Sequence, residues 1–139
     1  MVQVEAQMNL PIEYETIYIL RPDLTDDQVQ GVATKVSGII EKFQGDVLIH
    51  DDWGKRRLAY PIQRSQYGRY VYFNYMGPNS LVSELERNLR IDDSFLRFLT
   101  VRLADDIDIG TRKALAVTQQ AEVTEKQVAR KAAEDARRA

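Results

Sequence analysis

Apolar and polar positions alternate in the first patterned stretch of the chain, Tyr14-Glu15-Thr16-Ile17-Tyr18-Ile19-Leu20. This stretch is rich in β-branched and aromatic residues and is stopped by Pro22, so it predicts a strand. The pleat assigns Ile17 and Ile19 to one face and Thr16 and Tyr18 to the other. The period then lengthens. Val29, Val32, Val36, Ile39 or Ile40, and Phe43 recur at helical spacing and predict one apolar stripe. Thr25 is placed to cap this helix, and Gln28 three residues on completes a capping box. Leu24 can staple onto Val29, and Asp26 and Asp27 suit the positive end of the helix dipole. Gly45 supplies the expected left-handed stop.

From Asp46 the pattern is β again. Val47, Leu48 and Ile49 lead through Asp51, Asp52 and Trp53 to Gly54, and Arg57-Leu58-Ala59-Tyr60-Pro61-Ile62 continues. This predicts one long strand with a bulge near Gly54. Pro61 has no N–H to give a ladder, so the strand belongs at a sheet edge. After an expected loop over Gln63–Tyr67 and Gly68, Arg69–Met76 predicts the most apolar strand, and the two form a hairpin. Asn79 or Ser80 caps a second helix with Val82, Leu85 and Leu89 on one face. Ile91-Asp92-Asp93-Ser94 makes a turn into a fourth strand over Phe95–Leu103.

The element order is β-α-β-β-α-β. It predicts an α+β, ferredoxin-like domain: a four-stranded antiparallel sheet with two helices on one face. The first and third strands come out central, and the Pro-bearing second strand and the fourth come out as edges. Three segments follow: a polar lead-in over 1–12, the domain over 13–103, and a charged Ala-rich tail over 104–139. The tail has high helix propensity without a wide apolar stripe, which alone leaves a frayed helix and disorder both open.

Charge changes the picture. The net charge is −2 over 139 residues, but it is unevenly spread. Residues 1–52 hold ten acids and three bases, residues 53–102 nine bases and four acids, and the remainder seven of each. Lys55, Arg56, Arg57, Arg64 and Arg69 lie within seventeen residues free of acids. A cluster of that kind can meet phosphates in a mildly acidic protein; a solvated basic face explains it equally well.

Catalytic and cofactor chemistry find little support. There are no cysteines and a single histidine, His50 beside Asp51, so thiolate and multi-histidine metal sites are ruled out. Adjacent acid pairs such as Asp51-Asp52 and Asp92-Asp93 point to opposite faces or sit in turns, and form no carboxylate dyad. No phosphate-binding glycine loop, cofactor motif or membrane-length apolar run occurs. Val29-Gln30-Gly31-Val32 resembles a fragment of the acylphosphatase signature, but Ala33 and Thr34 stand where an aromatic-arginine pair belongs. Tyr18, Tyr70 and Tyr72 are expected on the sheet face away from the helices, where aromatics near arginines can stack on bases. The pattern of RNA-recognition domains does not align there, and tyrosines on a covered sheet face are the favoured reading.

Trp53-Gly54-Lys55-Arg56-Arg57-Leu58-Ala59-Tyr60-Pro61-Ile62, followed by Gly68 and Tyr70, resembles the ribosomal S-six family of the small bacterial subunit. Leu89-Arg90-Ile91-Asp92-Asp93, with Leu96-Arg97 and Val101, resembles that family's second signature, and Tyr14-Glu15 fits its opening strand. The resemblance spans about residues 13–103 and implies assembly rather than catalysis in the cytoplasmic ribosome. It implies binding to the central domain of small-subunit ribosomal RNA, paired with ribosomal protein S-eighteen, with no small-molecule substrate, cofactor or membrane. Candidate RNA contacts are Lys55, Arg56, Arg57, Arg64, Arg69, Arg90 and Arg97. Candidate partner contacts lie on the edge strand: Asp51, Asp52, Trp53, Arg56, Arg57, Leu58 and Tyr60. Arg56 and Arg57 have two readings, phosphate contact or partner contact with edge protection.

Overall fold

The computed structural model describes residues 11–138. The expected lead-in lies outside the described residues except for Pro11 and Ile12, and Ile12 already opens the first strand. The elements run β1 (Ile12–Leu20), α1 (Asp26–Lys42), β2 (Asp46–Ile62), β3 (Ser65–Gly77), α2 (Leu81–Arg90), β4 (Phe95–Ala104) and α3 (Ile109–Arg138). The strands form one sheet in the order β2-β3-β1-β4, every neighbour antiparallel. The two central strands and the Pro-bearing edge strand are where the sequence puts them. A third helix exists, however, so the expectation of two helices is corrected.

Helices α1 and α2 bury Val29, Val36, Ile40, Leu81, Leu85 and Leu89 against β1 and β3. The Thr25 hydroxyl accepts from the Gln28 N–H at 3.2 Å, and the Gln28 side chain accepts from the Thr25 N–H at 2.9 Å. That reciprocal pair is the expected capping box. The helix ends differently from expectation: Gln44, not Gly45, takes the left-handed conformation, at φ 68°. Gly45 is needed for space instead, since a Cβ there would stand 2.6 Å from Leu81 and 2.8 Å from Ile40. The Ser80 cap of α2 makes no side-chain hydrogen bond; the Leu81 N–H donates to the Pro78 carbonyl at 3.1 Å.

The face covered by α1 and α2 carries Tyr14, Thr16, Tyr18, Val71, Phe73 and Tyr75. Tyr18 is therefore core, not open surface, which corrects the expected placement. Its ring stacks on Phe73 at 6.0 Å and meets Phe95 edge-on at 5.0 Å. The pleat explains why the other parity fails to be the core: residues opposite Tyr18 include Val71, and those opposite Ile17 include half-buried Tyr72. The Thr16 hydroxyl is satisfied by the Tyr75 and Thr100 hydroxyls, both at 2.8 Å. Burial, with those hydrogen bonds acting the other way, pushes the Tyr75 phenol up to about 12.

Strand β2 keeps its length through a register shift between Asp52 and Gly54, with Gly54 at φ 85°. This is the expected bulge. The hairpin loop is shorter than expected: Ile62 pairs with Ser65, so only Gln63 and Arg64 turn the chain. Both have positive φ, 47° and 69°, as a two-residue turn compatible with strand twist requires. Neither is glycine or asparagine, which hides this turn from sequence reading. The arm beyond the bulge packs Leu58 onto Ile19 and Leu96.

Helix α3 lies against β2 and the lower end of the other sheet face. Ala116 is buried with Leu48, Ile49 and Met76, and Val123, Ile107 and Tyr72 pack around them.

Candidate nucleic-acid interface

The basic segment is the outer part of β2 and its turn into β3. Lys55 stands opposite Arg69, Arg56 opposite Gly68 and Arg57 opposite Tyr67. Alternation therefore sends Lys55 and Arg57 to one face of the arm and Arg56 to the other. Arg64 sits at the tip. Lys55, Arg56, Arg57 and Arg64 are all exposed, and among the described residues none of them has an acidic partner. On the second face Arg56 lies 5.4 Å from the Trp53 ring, which stacks on Tyr72 at 5.7 Å.

Arg97 joins this arm from β4. Its guanidinium is 5.9 Å from the Tyr60 ring and 3.4 Å from the Tyr60 hydroxyl, and Tyr60 is 61% exposed. Arg69 is different. Its Nη1 reaches Asp26 at 2.8 Å and its Nη2 reaches Asp52 at 2.7 Å, which holds the guanidinium firmly charged and turned inward. Arg90, at the end of α2, is 3.9 Å from Glu86 and 5.7 Å from the Phe98 ring of β4. The seven candidate RNA contacts are thus one exposed group of five, one internal arginine and one arginine paired with Glu86 on α2.

The candidate partner contacts follow the outer edge of β2, the side away from β3. The Trp53 indole N–H donates to the Asp51 carboxylate at 3.0 Å, and the Asp52 carboxylate accepts from the Gly54 N–H at 2.9 Å. Leu58 is buried, while Arg57 and Tyr60 face solvent. Three side chains at this edge carry no sequence signal: Gln120, Gln127 and Arg130 of α3. Gln120 bonds the His50 backbone, Gln127 the Asp51 carboxylate, and Arg130 the Asp52 carbonyl. The spacing of Ala116 and Val123, seven residues apart on one helix face, is the one trace of this packing in the sequence.

Between α1 and the end of α3 lies a groove of about 800 Å³, lined in part by His50, Asp52, Lys55 and Arg69. Burial holds the His50 imidazole below its usual range, against the opposing pull of Asp52 and Asp51. The ring stacks on Phe73 at 4.6 Å. Among the described residues no group of three or more His, Asp or Glu side chains is arranged to hold a metal ion. Nor, among the described residues, is any helix long and apolar enough to cross a membrane.

The sequence pattern of the family described as Ribosomal protein S6 matches residues 13–102. The chain belongs to the ribosomal protein S6 family. It is 42% identical over 113 residues to the small ribosomal subunit protein bS6 of Pelobacter propionicus, covering 81% of this chain and 88% of that one. The bS6 protein of Trichlorobacter lovleyi is 43% identical over 113 residues, 81% of this chain and 93% of its own. That of Geobacter metallireducens is 47% identical over 105 residues, 76% and 89%. The crystal structure of 30S ribosomal protein S6 from Thermotoga maritima superposes with a TM-score of 0.65 at 23% identity. It covers 76% of this chain and 97% of that one, and it shows the shared fold.

As an S6 family member the chain is a structural, non-enzymatic component of the small ribosomal subunit in the bacterial cytoplasm. The matched segment contains α1, α2, the basic arm and all of the sheet except Ile12 and the last two residues of β4. Helix α3 lies beyond it.

Proposed function

We propose that this S6 family protein binds the central domain of small-subunit ribosomal RNA together with ribosomal protein S-eighteen, and so contributes to subunit assembly and translation. The observation that carries the RNA half is the unpaired state of the arm. Arg21, Lys35, Arg69, Arg87, Arg90 and Arg102 all have an acid within 4.0 Å. Lys55, Arg56, Arg57 and Arg64 gather on one hairpin with none among the described residues. Cations held apart from acids keep their full charge for phosphates, and such contacts position a protein without reading sequence. Arg97 extends the same surface. Arg69 and Arg90 serve the fold and lie outside the proposed phosphate contacts.

The protein partner is assigned to the outer edge of β2, from Asp51 to Tyr60, where α3 holds only the Asp51 carboxylate and the Asp52 carbonyl. An added segment gains backbone hydrogen bonds along the remainder, and the charges of this edge oppose pairing with a second copy of the chain. Binding of the full chain to a central-domain RNA fragment, with and without S-eighteen, tests both halves. Salt-sensitive binding that tightens with S-eighteen present is the expected result. A folded protein that binds neither RNA nor S-eighteen refutes the proposal.

A further inference from the structure

Helix α3 holds β2 by the backbone of its edge. The Gln120 amide oxygen accepts from the His50 N–H at 2.7 Å, and its amide nitrogen donates to the His50 carbonyl at 3.0 Å. One side chain thus makes the two bonds that a neighbouring strand makes at such a residue. Arg130 Nη1 donates to the Asp52 carbonyl at 3.2 Å, two residues along the same edge. A polypeptide adding to β2 at this place needs the same groups.

Charge across the contact runs in one direction. Arg112 pairs with Glu13 at 3.1 Å, Lys113 with Asp46 at 3.3 Å and Arg130 with Asp51 at 3.7 Å. Every acid belongs to the sheet and every base to the helix. Beneath them Leu48, Ile49 and Met76 are covered by Ala116 and Val123. Without α3 the strip is an apolar floor bordered by three unpaired carboxylates. A polyanion is repelled there. A basic polypeptide with apolar side chains is complementary in charge, in hydrophobicity and in backbone hydrogen bonding.

We propose that the edge from Asp46 to Asp52 is a docking strip for an extended, basic polypeptide segment of a protein partner, and that α3 is its built-in competitor. The strip lies within the family-matched segment and the competitor beyond it. The proposal rests on the reading that a protein partner adds at β2. It goes further in extending the contact along β2 to Asp46, in stating what chemistry the segment carries, and in requiring that α3 leave.

The test uses the full chain and purified S-eighteen. In the double variant Gln120→Ala with Arg130→Ala, three helix-to-backbone bonds are lost, and S-eighteen binds about tenfold tighter than to the wild type. In the wild-type complex, hydrogen exchange of α3 amides rises while the His50 amide remains protected. This second measurement needs no variant. Unchanged affinity with α3 amides still protected overturns the competition and leaves the partner reading standing. Weaker binding by the variant also overturns it, because α3 is then part of the interface. Self-association of the variant in place of S-eighteen binding assigns the strip to a second copy and likewise overturns it. Failure of S-eighteen to bind either protein removes the partner reading, and the docking strip with it.

Discussion

Arg69 grips Asp52 at two points, with Nε 3.1 Å from Oδ1 and Nη2 2.7 Å from Oδ2. A forked pair of this kind is geometrically specific and stronger than a single neutral hydrogen bond. Arg69 also reaches Asp26 at the start of α1, so it ties the hairpin to the helix layer. Arg69→Ala leaves the Asp52 carboxylate with only the Gly54 N–H and is expected to lower stability by about 1–3 kcal/mol. Arg69→Lys recovers only part of this, because an ammonium has no fork. Urea denaturation of the three proteins checks the order. RNA binding by the folded variants should keep its salt dependence, since Arg69 makes no phosphate contact in this account.

The turn at Gln63 and Arg64 sets stability against binding. Arg64 occupies φ 69°, a region that costs an L-residue about 1 kcal/mol and a glycine almost nothing. Arg64→Gly is therefore expected to raise stability by up to ~1 kcal/mol while weakening RNA binding. Thermal melting and RNA titration of the same preparation separate the two effects. A variant that is less stable contradicts the assigned strain.

Tyr18 is fully buried, and its hydroxyl has no hydrogen-bond partner among the described residues. An unsatisfied buried hydroxyl costs about 1–3 kcal/mol, whereas the ring alone keeps its contacts with Phe73 and Phe95. Tyr18→Phe should be neutral or stabilising. Loss of more than about 1 kcal/mol in chemical denaturation would show that the hydroxyl is satisfied after all.

His50 makes stability depend on pH. Burial lowers its folded value, outweighing Asp52 and Asp51, so below the unfolded value of about 6.5 the unfolded chain binds a proton that the folded chain does not. Stability therefore falls as pH drops through the window between about 6.5 and the lower folded value. His50→Gln should lose this component and keep the carboxylate-linked decline at more acidic pH. The imidazole resonances in an NMR titration give the midpoint directly; one above the unfolded value contradicts the assignment.

Much of this fold is legible in the sequence because its signals are local. Thr25 with Gln28 marks a helix start, Pro61 marks an edge, and Gly54 marks a bulge, each by a rule that acts over a few residues. Failures came where tertiary context decides. Tyr18 and Ile19 are both apolar neighbours on one strand, and only the packing of Phe73 and Phe95 shows which faces the helices. The Gln63-Arg64 turn uses residues that seldom adopt positive φ. Helix α3 has too thin a stripe to announce its partner; its hold on β2 comes from Gln120 and Arg130, which look like ordinary solvated residues. Within the basic segment, charge alone did not separate Arg69, bound by two acids, from exposed Arg57.

The central claim is that the unpaired cations of the hairpin arm contact phosphate. The most direct measurement is the salt dependence of binding to the central-domain RNA fragment, with Lys55→Ala, Arg57→Ala and Arg64→Ala compared with the wild type. Each substitution should weaken binding and reduce the slope of log K against log salt by about 0.7 to 1. Three folded variants with the wild-type slope would contradict the account and move the RNA surface elsewhere on the protein.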